Sequence, residues 1–371
     1  MQATTPPTSV ETRRAASSLL GKDIAPFRRA LLNWYDQNRR DLPWRKTRDP
    51  YPIWISEIML QQTRVVAVLE HYRIFLERFP NVKVLAAASE SAVLASWSGL
   101  GYYRRARMLR QCAQQIVAEH HGHFPQNSEA LQTLPGIGRY TAAAIASIAF
   151  AEPVAVVDGN VERVLQRLAG SSLTSKEIWQ RAQSQISPSR PADFNQAMME
   201  LGAMVCTPRQ PRCERCPIRK WCATQGESPR TKLLQGQSKK KIWYTLDQRD
   251  GCIRLVQRPA DSSLMASMWE LPPAAPTRTS AATSEPAAKR RKTKAHGAGR
   301  GPGTPNGRAP KGRKNGQAAW QTFRHSITTT DYTVNVIQTQ ATQGKWIPIE
   351  KIPDVPLTGL TRKILKAARI I

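Results

Sequence analysis

Between residues 23 and 205 apolar side chains recur every three or four positions, the spacing that lines one face of a helix. The pattern predicts helices over 26–38, 52–67, 69–78, 90–97, 104–120, 139–150 and 159–168, with Pro80, Gly99, Gly101, Gly122 and Pro135 marking the joints. After residue 225 the rhythm changes. The stretches 242–246, 253–257, 332–338 and 345–349 are short and partly alternating, as strands are, and 362–368 is expected to close as a helix. The fold class expected is therefore mainly α, with a smaller α+β domain after it. Boundaries follow from the same reading: a tail over 1–22, a helical domain over 23–225, a linker over 226–240 and an α+β domain over 241–371. That last domain is interrupted at 273–319, where eleven basic residues stand against Glu285 alone and too few apolar ones occur to order the chain.

Composition narrows the partners. At 371 residues and 40% hydrophobic content the chain can bury a core in each of two domains. Lys and Arg number 55 against 27 acidic residues, a formal charge of +28 that exceeds the needs of solubility and attracts a polyanion. No run of 18 apolar residues supports a membrane span, and residues 1–22 lack the apolar stretch of a signal peptide. A soluble protein of the cytoplasm, associated with the nucleoid, is expected. Cys112 and Cys252 read as ordinary thiols. In a reducing compartment the other four cysteines, crowded into residues 206–222, point to metal and away from disulfides.

Those four form C-x6-C-x2-C-x5-C: Cys206, Cys213, Cys216 and Cys222. Four thiolates in one loop suit a tetrahedral zinc or a cubane [4Fe-4S] cluster, and ligand type alone does not separate them. The single C-x2-C flanked by lone cysteines favours iron-sulfur over the paired knuckles of a zinc ribbon. Arg209, Arg212, Arg215, Arg219 and Lys220 make the same loop a basic surface for phosphate. A second signal, Leu134-Pro-Gly-Ile-Gly-Arg-Tyr-Thr141, places two glycines between a short helix at 128–134 and a longer one. Backbone amides there are left free for a phosphate, in a helix-hairpin-helix, although a plain glycine turn would read the same way. Glu57 lies among Ile53, Trp54, Ile55, Ile58 and Met59 and could keep its proton if buried, while a solvated helix position is the commoner case. Asp158 ends an apolar run just before a helix, where a cap is the ordinary role. Trp44, Trp54, Trp97, Tyr102, Tyr103 and Tyr140 offer flat faces for bases, or simply core.

Taken in order, these motifs resemble the endonuclease III superfamily, and closely the MutY-type adenine DNA glycosylases. The matching runs are Leu42-Pro-Trp-Arg45, Ser56-Glu-Ile-Met-Leu-Gln-Gln-Thr63, Gly99-Leu-Gly-Tyr-Tyr-Arg104, the hairpin, Val157-Asp-Gly-Asn-Val161 and Phe194-Asn-Gln-Ala-Met-Met-Glu-Leu-Gly202 leading into the cysteines. The resemblance implies base excision repair: hydrolysis of the glycosidic bond of adenine paired with 8-oxoguanine or guanine in double-stranded DNA, by a monomer that carries one [4Fe-4S] cluster on the four cysteines. It implies that Glu57 protonates adenine N7, that Asp158 stabilises the sugar cation, and that Tyr140 and Asn160 orient Asp158 and the attacking water. It further implies that Trp44, Arg45 and Gln196 line the base pocket, that Gln62 and Tyr102 enter the base stack, and that the amides of Gly136 and Gly138 hold a phosphate. Where bifunctional relatives carry a lysine that forms a Schiff base, Tyr140 stands, so a monofunctional enzyme is expected and endonuclease III is the alternative. A DNA-binding redox or scaffold protein that kept the fold without the chemistry is the other. In the second domain Met268-Trp-Glu-Leu-Pro272 and Phe323-Arg-His-Ser326 resemble parts of the family's Nudix-like domain, which reads 8-oxoguanine. Ile327-Thr328-Thr329 replaces the usual Phe-Ser-His loop there, leaving the hydroxyl of Thr328 to make that contact.

Overall fold

The structure is a computed structural model that describes residues 24–226, 238–274, 319–327 and 330–371. The tail 1–22, most of the linker, residues 275–318 of the basic insertion, and Thr328 lie outside the described residues. Two compact units divide the remainder. The first contains the described part of Met1–Leu234 with Arg258–Trp269 and Lys351–Lys363, and the second Gln235–Gln257, Glu270–Glu350 and Ile364–Ile371.

The first unit is built of helices α1 (Ile24–Asn38), α2 (Pro50–Leu60), α3 (Val65–Arg78), α4 (Val82–Ala87), α5 (Glu90–Ser96), α6 (Arg104–His120), α7 (Ser128–Leu131), α8 (Arg139–Ala149), α9 (Gly159–Ala169), α10 (Ser175–Gln185) and α11 (Pro191–Met204). Side chains fix several starts. The Asp49 carboxylate accepts from the amide of Tyr51 ahead of Pro50 and Pro52, so α2 begins with a cap and prolines whose missing N–H groups cost nothing in a first turn. Thr174 and Glu177 cap α10 reciprocally. Trp54, Phe75, Trp97 and Leu109 anchor one apolar core, while Phe27, Leu31, Leu201 and Trp221 anchor another.

Two expectations are corrected here. The helix predicted over 52–67 is two helices, because α2 stops at Leu60 and Gln62 takes a left-handed φ of 55° before α3 begins. No proline or glycine announces that break; tertiary contacts impose it. The boundaries at 225 and 241 also fail to isolate the helical unit. Met268 is fully buried in its first core, and the carbonyl of Leu357 accepts from the hydroxyls of Ser98 (2.8 Å) and Tyr103 (3.2 Å). Chain from the far side of the sequence thus completes this unit. Helices α4, α10 and α11 are additions that periodicity did not predict.

The second unit holds two small sheets. Strand β1 (Ser238–Leu246) runs parallel to β6 (Thr330–Gln338), with Ile242 opposite Val334 and Tyr244 opposite Val336, and β5 (Gln321–Ile327) adds on antiparallel to β6. In the other sheet β3 (Cys252–Gln257) lies between β2 (Gln248–Arg249) and β7 (Lys345–Pro348), burying Ile253 and Leu255. Strand β4 (Trp269–Glu270) and helix α12 (Gly359–Ala367) are each divided between the two units.

Candidate active site

Helices α2, α8, α9 and α11 of the first unit surround a cavity of about 850 Å³, within the range of small-ligand sites. Of the residues singled out from sequence, Glu57, Asp158, Tyr140, Asn160, Trp44, Arg45, Gln62 and Gln196 all line it. Residues more than a hundred positions apart are brought together on rigid helices.

Glu57 is buried, at 5% exposure, on the inward face of α2. Loss of hydration pushes its carboxyl up to about 7, and the nearby Asp158 charge pushes the same way, while a hydrogen bond from Tyr140 and the charge of Arg45 act against them. The Tyr140 hydroxyl donates to Glu57 Oε2 at 2.8 Å and also approaches Met199 Sδ at 3.5 Å. This corrects one expectation: the hydrogen bond of Tyr140 goes to Glu57 and not to Asp158. The phenol itself is shifted well upward, by burial first and then by the two acids, so it remains a donor.

Asp158 is the N-cap of α9. Its Oδ1 accepts from the amides of Asn160 (2.9 Å) and Val161 (2.7 Å), and its Oδ2 accepts from Asn160 Nδ2 at 2.8 Å. The cap and the candidate catalytic group are one residue, because the two amides that start the helix, with the Asn160 side chain, hold the carboxylate rigid at the cavity wall. Asn160 is held in turn by Arg163 Nη2, which donates to its Oδ1 at 2.9 Å and to the Gly202 carbonyl at 2.7 Å. A Cβ on Gly202 would stand 2.6 Å from Asn160 Cβ, so only glycine allows α11 to pass this close.

Sequence reasoning missed a third acid of the cavity. Glu200 on α11 is 1% exposed and takes Arg40 in a two-pronged bond (2.7 Å to each oxygen) together with Arg45 Nη2 at 2.8 Å. Burial raises its carboxyl, but the bonds from Arg40 and Arg45 outweigh that and hold it at about 2. Glu200 stands in the same Phe194 to Gly202 run as Gln196, a lone acid among apolar residues, as Glu57 is; that was the available signal. Arg40, in a polar run, gave none. The arrangement fixes Arg45, whose guanidinium also lies 5.6 Å from the Tyr35 ring. Tyr35 hydroxyl donates to Gln196 Oε1 at 3.2 Å, which leaves the amide NH2 of Gln196 as a donor toward the cavity. Trp44 is fixed edge-on to Tyr72 at 5.3 Å.

The remaining predicted residues lie elsewhere. Tyr102 is 52% exposed on the loop before α6, with a left-handed φ of 49°. Gly136 turns the hairpin with φ of 76°, where a Cβ would meet Met108 Cβ at 2.8 Å, and Gly138 is the N-cap of α8. The short helix of that hairpin ends at Leu131 rather than at 134.

Cys206, Cys213, Cys216 and Cys222 line one small hollow with Arg167 and Arg212. Two 3-10 turns, Cys213–Arg215 and Arg219–Trp221, bring the sulfurs inward, and Trp221 pins the loop edge-on against Phe27 at 5.4 Å. Arg167 Nη1 lies 3.2 Å from Cys206 Sγ, and the Gln225 amide lies 3.4 Å from Cys222 Sγ, donors suited to sulfur that carries negative charge. Four thiols around one hollow are the donor set that an iron-sulfur cubane takes. The basic residues Arg209, Arg212, Arg215, Arg219 and Lys220 of this loop are exposed.

Residues 55–188 match the HhH-GPD superfamily of base excision DNA repair proteins, and residues 206–222 match the iron-sulfur binding domain of endonuclease III. The helical unit is therefore a helix-hairpin-helix glycosylase fold, and its four cysteines bind a [4Fe-4S] cluster. Among solved structures, a thermostable thymine-DNA glycosylase is similar, with 32% identity, a TM-score of 0.53, and coverage of 56% of this chain and 98% of its own. The adenine DNA glycosylase of Rattus norvegicus is 50% identical over 54% of this chain and 42% of its own length. That of Buchnera aphidicola subsp. Schizaphis graminum is 38% identical over 60% of this chain and 68% of its own length. The chain belongs to the MutY-type adenine DNA glycosylase family. It spans about two fifths of the rat relative and about two thirds of the bacterial one.

Proposed function

We propose that this chain is a monofunctional adenine DNA glycosylase of base excision repair, hydrolysing the glycosidic bond of adenine opposite 8-oxoguanine or guanine in duplex DNA as a monomer. The observation that carries the reading is Glu57: a buried carboxyl near pKa 7, bonded to Tyr140, sharing one cavity with the rigid carboxylate of Asp158.

Breaking the bond between sugar and adenine leaves negative charge on the purine and positive charge on the sugar. Glu57 meets the first need, because at neutral pH a large fraction of it retains a proton to give to adenine N7. Asp158, fixed by its three N–H donors, meets the second by facing the oxocarbenium sugar, as the second carboxylate does in retaining glycosidases. Asn160 holds Asp158 and the attacking water in register. Trp44, Arg45 and Gln196 receive the extruded base, whose removal from the stack costs a few kcal/mol and least at a mispair. Gln62 and Tyr102 enter the stack it leaves, and the amides of Gly136 and Gly138 take a phosphate. The cluster loop supplies rigidity and a basic face for the backbone, with no part in bond cleavage.

The second unit is read as a Nudix-like recognition domain, with Thr328 offering a hydroxyl to 8-oxoguanine. Adenine release from duplexes with adenine opposite 8-oxoguanine, guanine or thymine tests the whole reading. Release from the first two and little from the third is expected, and no release from any would remove it. Tyr140, in place of a Schiff-base lysine, predicts little borohydride-trapped adduct. Strong trapping by the unaltered chain would move it to the endonuclease III activity.

A further inference from the structure

Arg105, in the first turn of α6, is placed against the interest of its own helix. A cation at a helix N-terminus opposes the dipole of that helix, so its reason lies in what it touches. Nη1 donates to the carbonyls of Ile58 (2.7 Å), Met59 (3.1 Å) and Gln61 (2.7 Å) at the end of α2. Nη2 reaches Thr63 Oγ1 (3.3 Å) and the carbonyls of Leu100 (3.3 Å) and Gly101 (3.1 Å). The plane of the guanidinium also lies against two rings, 5.3 Å from Trp97 and 5.6 Å from Tyr102. All six of these partners are carbonyl or hydroxyl oxygens and none is a carboxylate, which is unusual for a half-buried cation.

The two groups of acceptors bracket two exposed residues. Gln61 and Thr63 flank Gln62, and Leu100 and Gly101 precede Tyr102. Both Gln62 (φ 55°) and Tyr102 (φ 49°) hold a left-handed backbone that non-glycine residues keep only when their surroundings enforce it. One planar fork is bonded beside both places at once.

We propose that Arg105 is a positioning residue for base extrusion: it ties the 61–63 and 100–102 loops into one rigid wedge and holds Gln62 and Tyr102 in the conformations that enter the duplex. The inference rests on the glycosylase reading above and assigns Arg105 no contact with the base or the sugar. Arginine is required because two loops must be bonded from one plane; lysine keeps the charge at the end of α2 but presents a compact ammonium that cannot span both.

The test is Arg105→Lys, read in two ways. In a Glu57→Gln background, which keeps the DNA whole, 2-aminopurine beside the mispaired adenine reports unstacking by its fluorescence. In the otherwise unaltered chain, single-turnover adenine release is followed. Arg105→Lys is expected to lose most of the fluorescence gain and to slow release about a hundredfold, the scale of a misplacement of roughly 1 Å, while the pH profile set by Glu57 keeps its position. Arg105→Lys with Tyr102→Ala should be no worse than the more damaging single change, since the two act as one device. Wild-type fluorescence and rate in Arg105→Lys, or additive losses in the double variant, would overturn the proposal. Should Arg105→Lys fail to fold, Thr63→Val removes one strut alone, and an undiminished extrusion signal there would equally overturn it. Failure of the parent chain to release adenine from any mispair counts against the glycosylase reading instead, and the fluorescence result still decides the role of Arg105.

Discussion

Two walls of one cavity carry a buried glutamate each, and the two acids end at opposite extremes. On the α2 wall Glu57 has apolar neighbours and one phenol, and its carboxyl rises to about 7; on the α11 wall Glu200, buried as deeply, is gripped by Arg40 and Arg45 and stays near 2. Burial raises both. What separates them is the partner: a neutral hydroxyl offsets only part of the desolvation of Glu57, while two guanidiniums more than offset that of Glu200. The cavity thereby holds a proton donor on one side and a permanently charged brace on the other.

The contrast breaks most sharply at the donor. Glu57→Gln should still bind the mispair but release adenine at least about a thousandfold more slowly in single turnover; near-native rates would end its role as general acid. Stability supplies a second axis, on which the two walls should respond with opposite sign. A carboxyl raised from 4.5 to about 7 binds its proton more tightly folded than unfolded, so stability falls as pH climbs through that window. At pH 8 Glu57→Gln should therefore be more stable than the parent, by up to about 3 kcal/mol in urea unfolding.

Glu200→Gln should lose about 3 kcal/mol at pH 7 by leaving two arginines without their anion, and slow adenine release about a hundredfold by freeing Arg45. The contribution of Glu200 is fully present above pH 4.5 and lost as pH falls toward 2. Equal signs in the two variants would mean that partners do not decide the difference. A smaller effect is expected from Tyr140→Phe. Its hydroxyl lowers Glu57, so removing it raises the carboxyl further and moves the alkaline limb of the rate profile up by about one pH unit, the equivalent of one hydrogen bond near 1.4 kcal/mol. An unmoved limb would detach Tyr140 from the acid.

Local order was largely visible in the sequence. Asp49 ahead of Pro50 and the apolar spacing of 104–120 specify their helices without help from afar, and α6 occupies the predicted span. Glu57 was conspicuous as an acid inside an apolar run. What stayed hidden depends on long-range partners: the interruption after Leu60, held from α6 by Arg105; the acid–base knot of Glu200, whose arginines lie about 155 to 160 positions away; and the parallel pairing of β1 with β6. Periodicity reports which face of an element is buried, and says nothing of which charge will stand against it.

The bonds from Ser98 and Tyr103 to the Leu357 carbonyl close sequence separations of 259 and 254 residues. During synthesis the helices leave the ribosome long before the segment 351–363 that completes them. At a translation rate on the order of 10 residues per second, the unit waits tens of seconds with two hydroxyls and part of a core uncovered. Closure over so long a loop is also slow. A nascent chain arrested before residue 351 should accordingly hold the [4Fe-4S] ligands, Glu57 and Asp158, and yet be captured by chaperones and cut by proteases more readily than the finished chain.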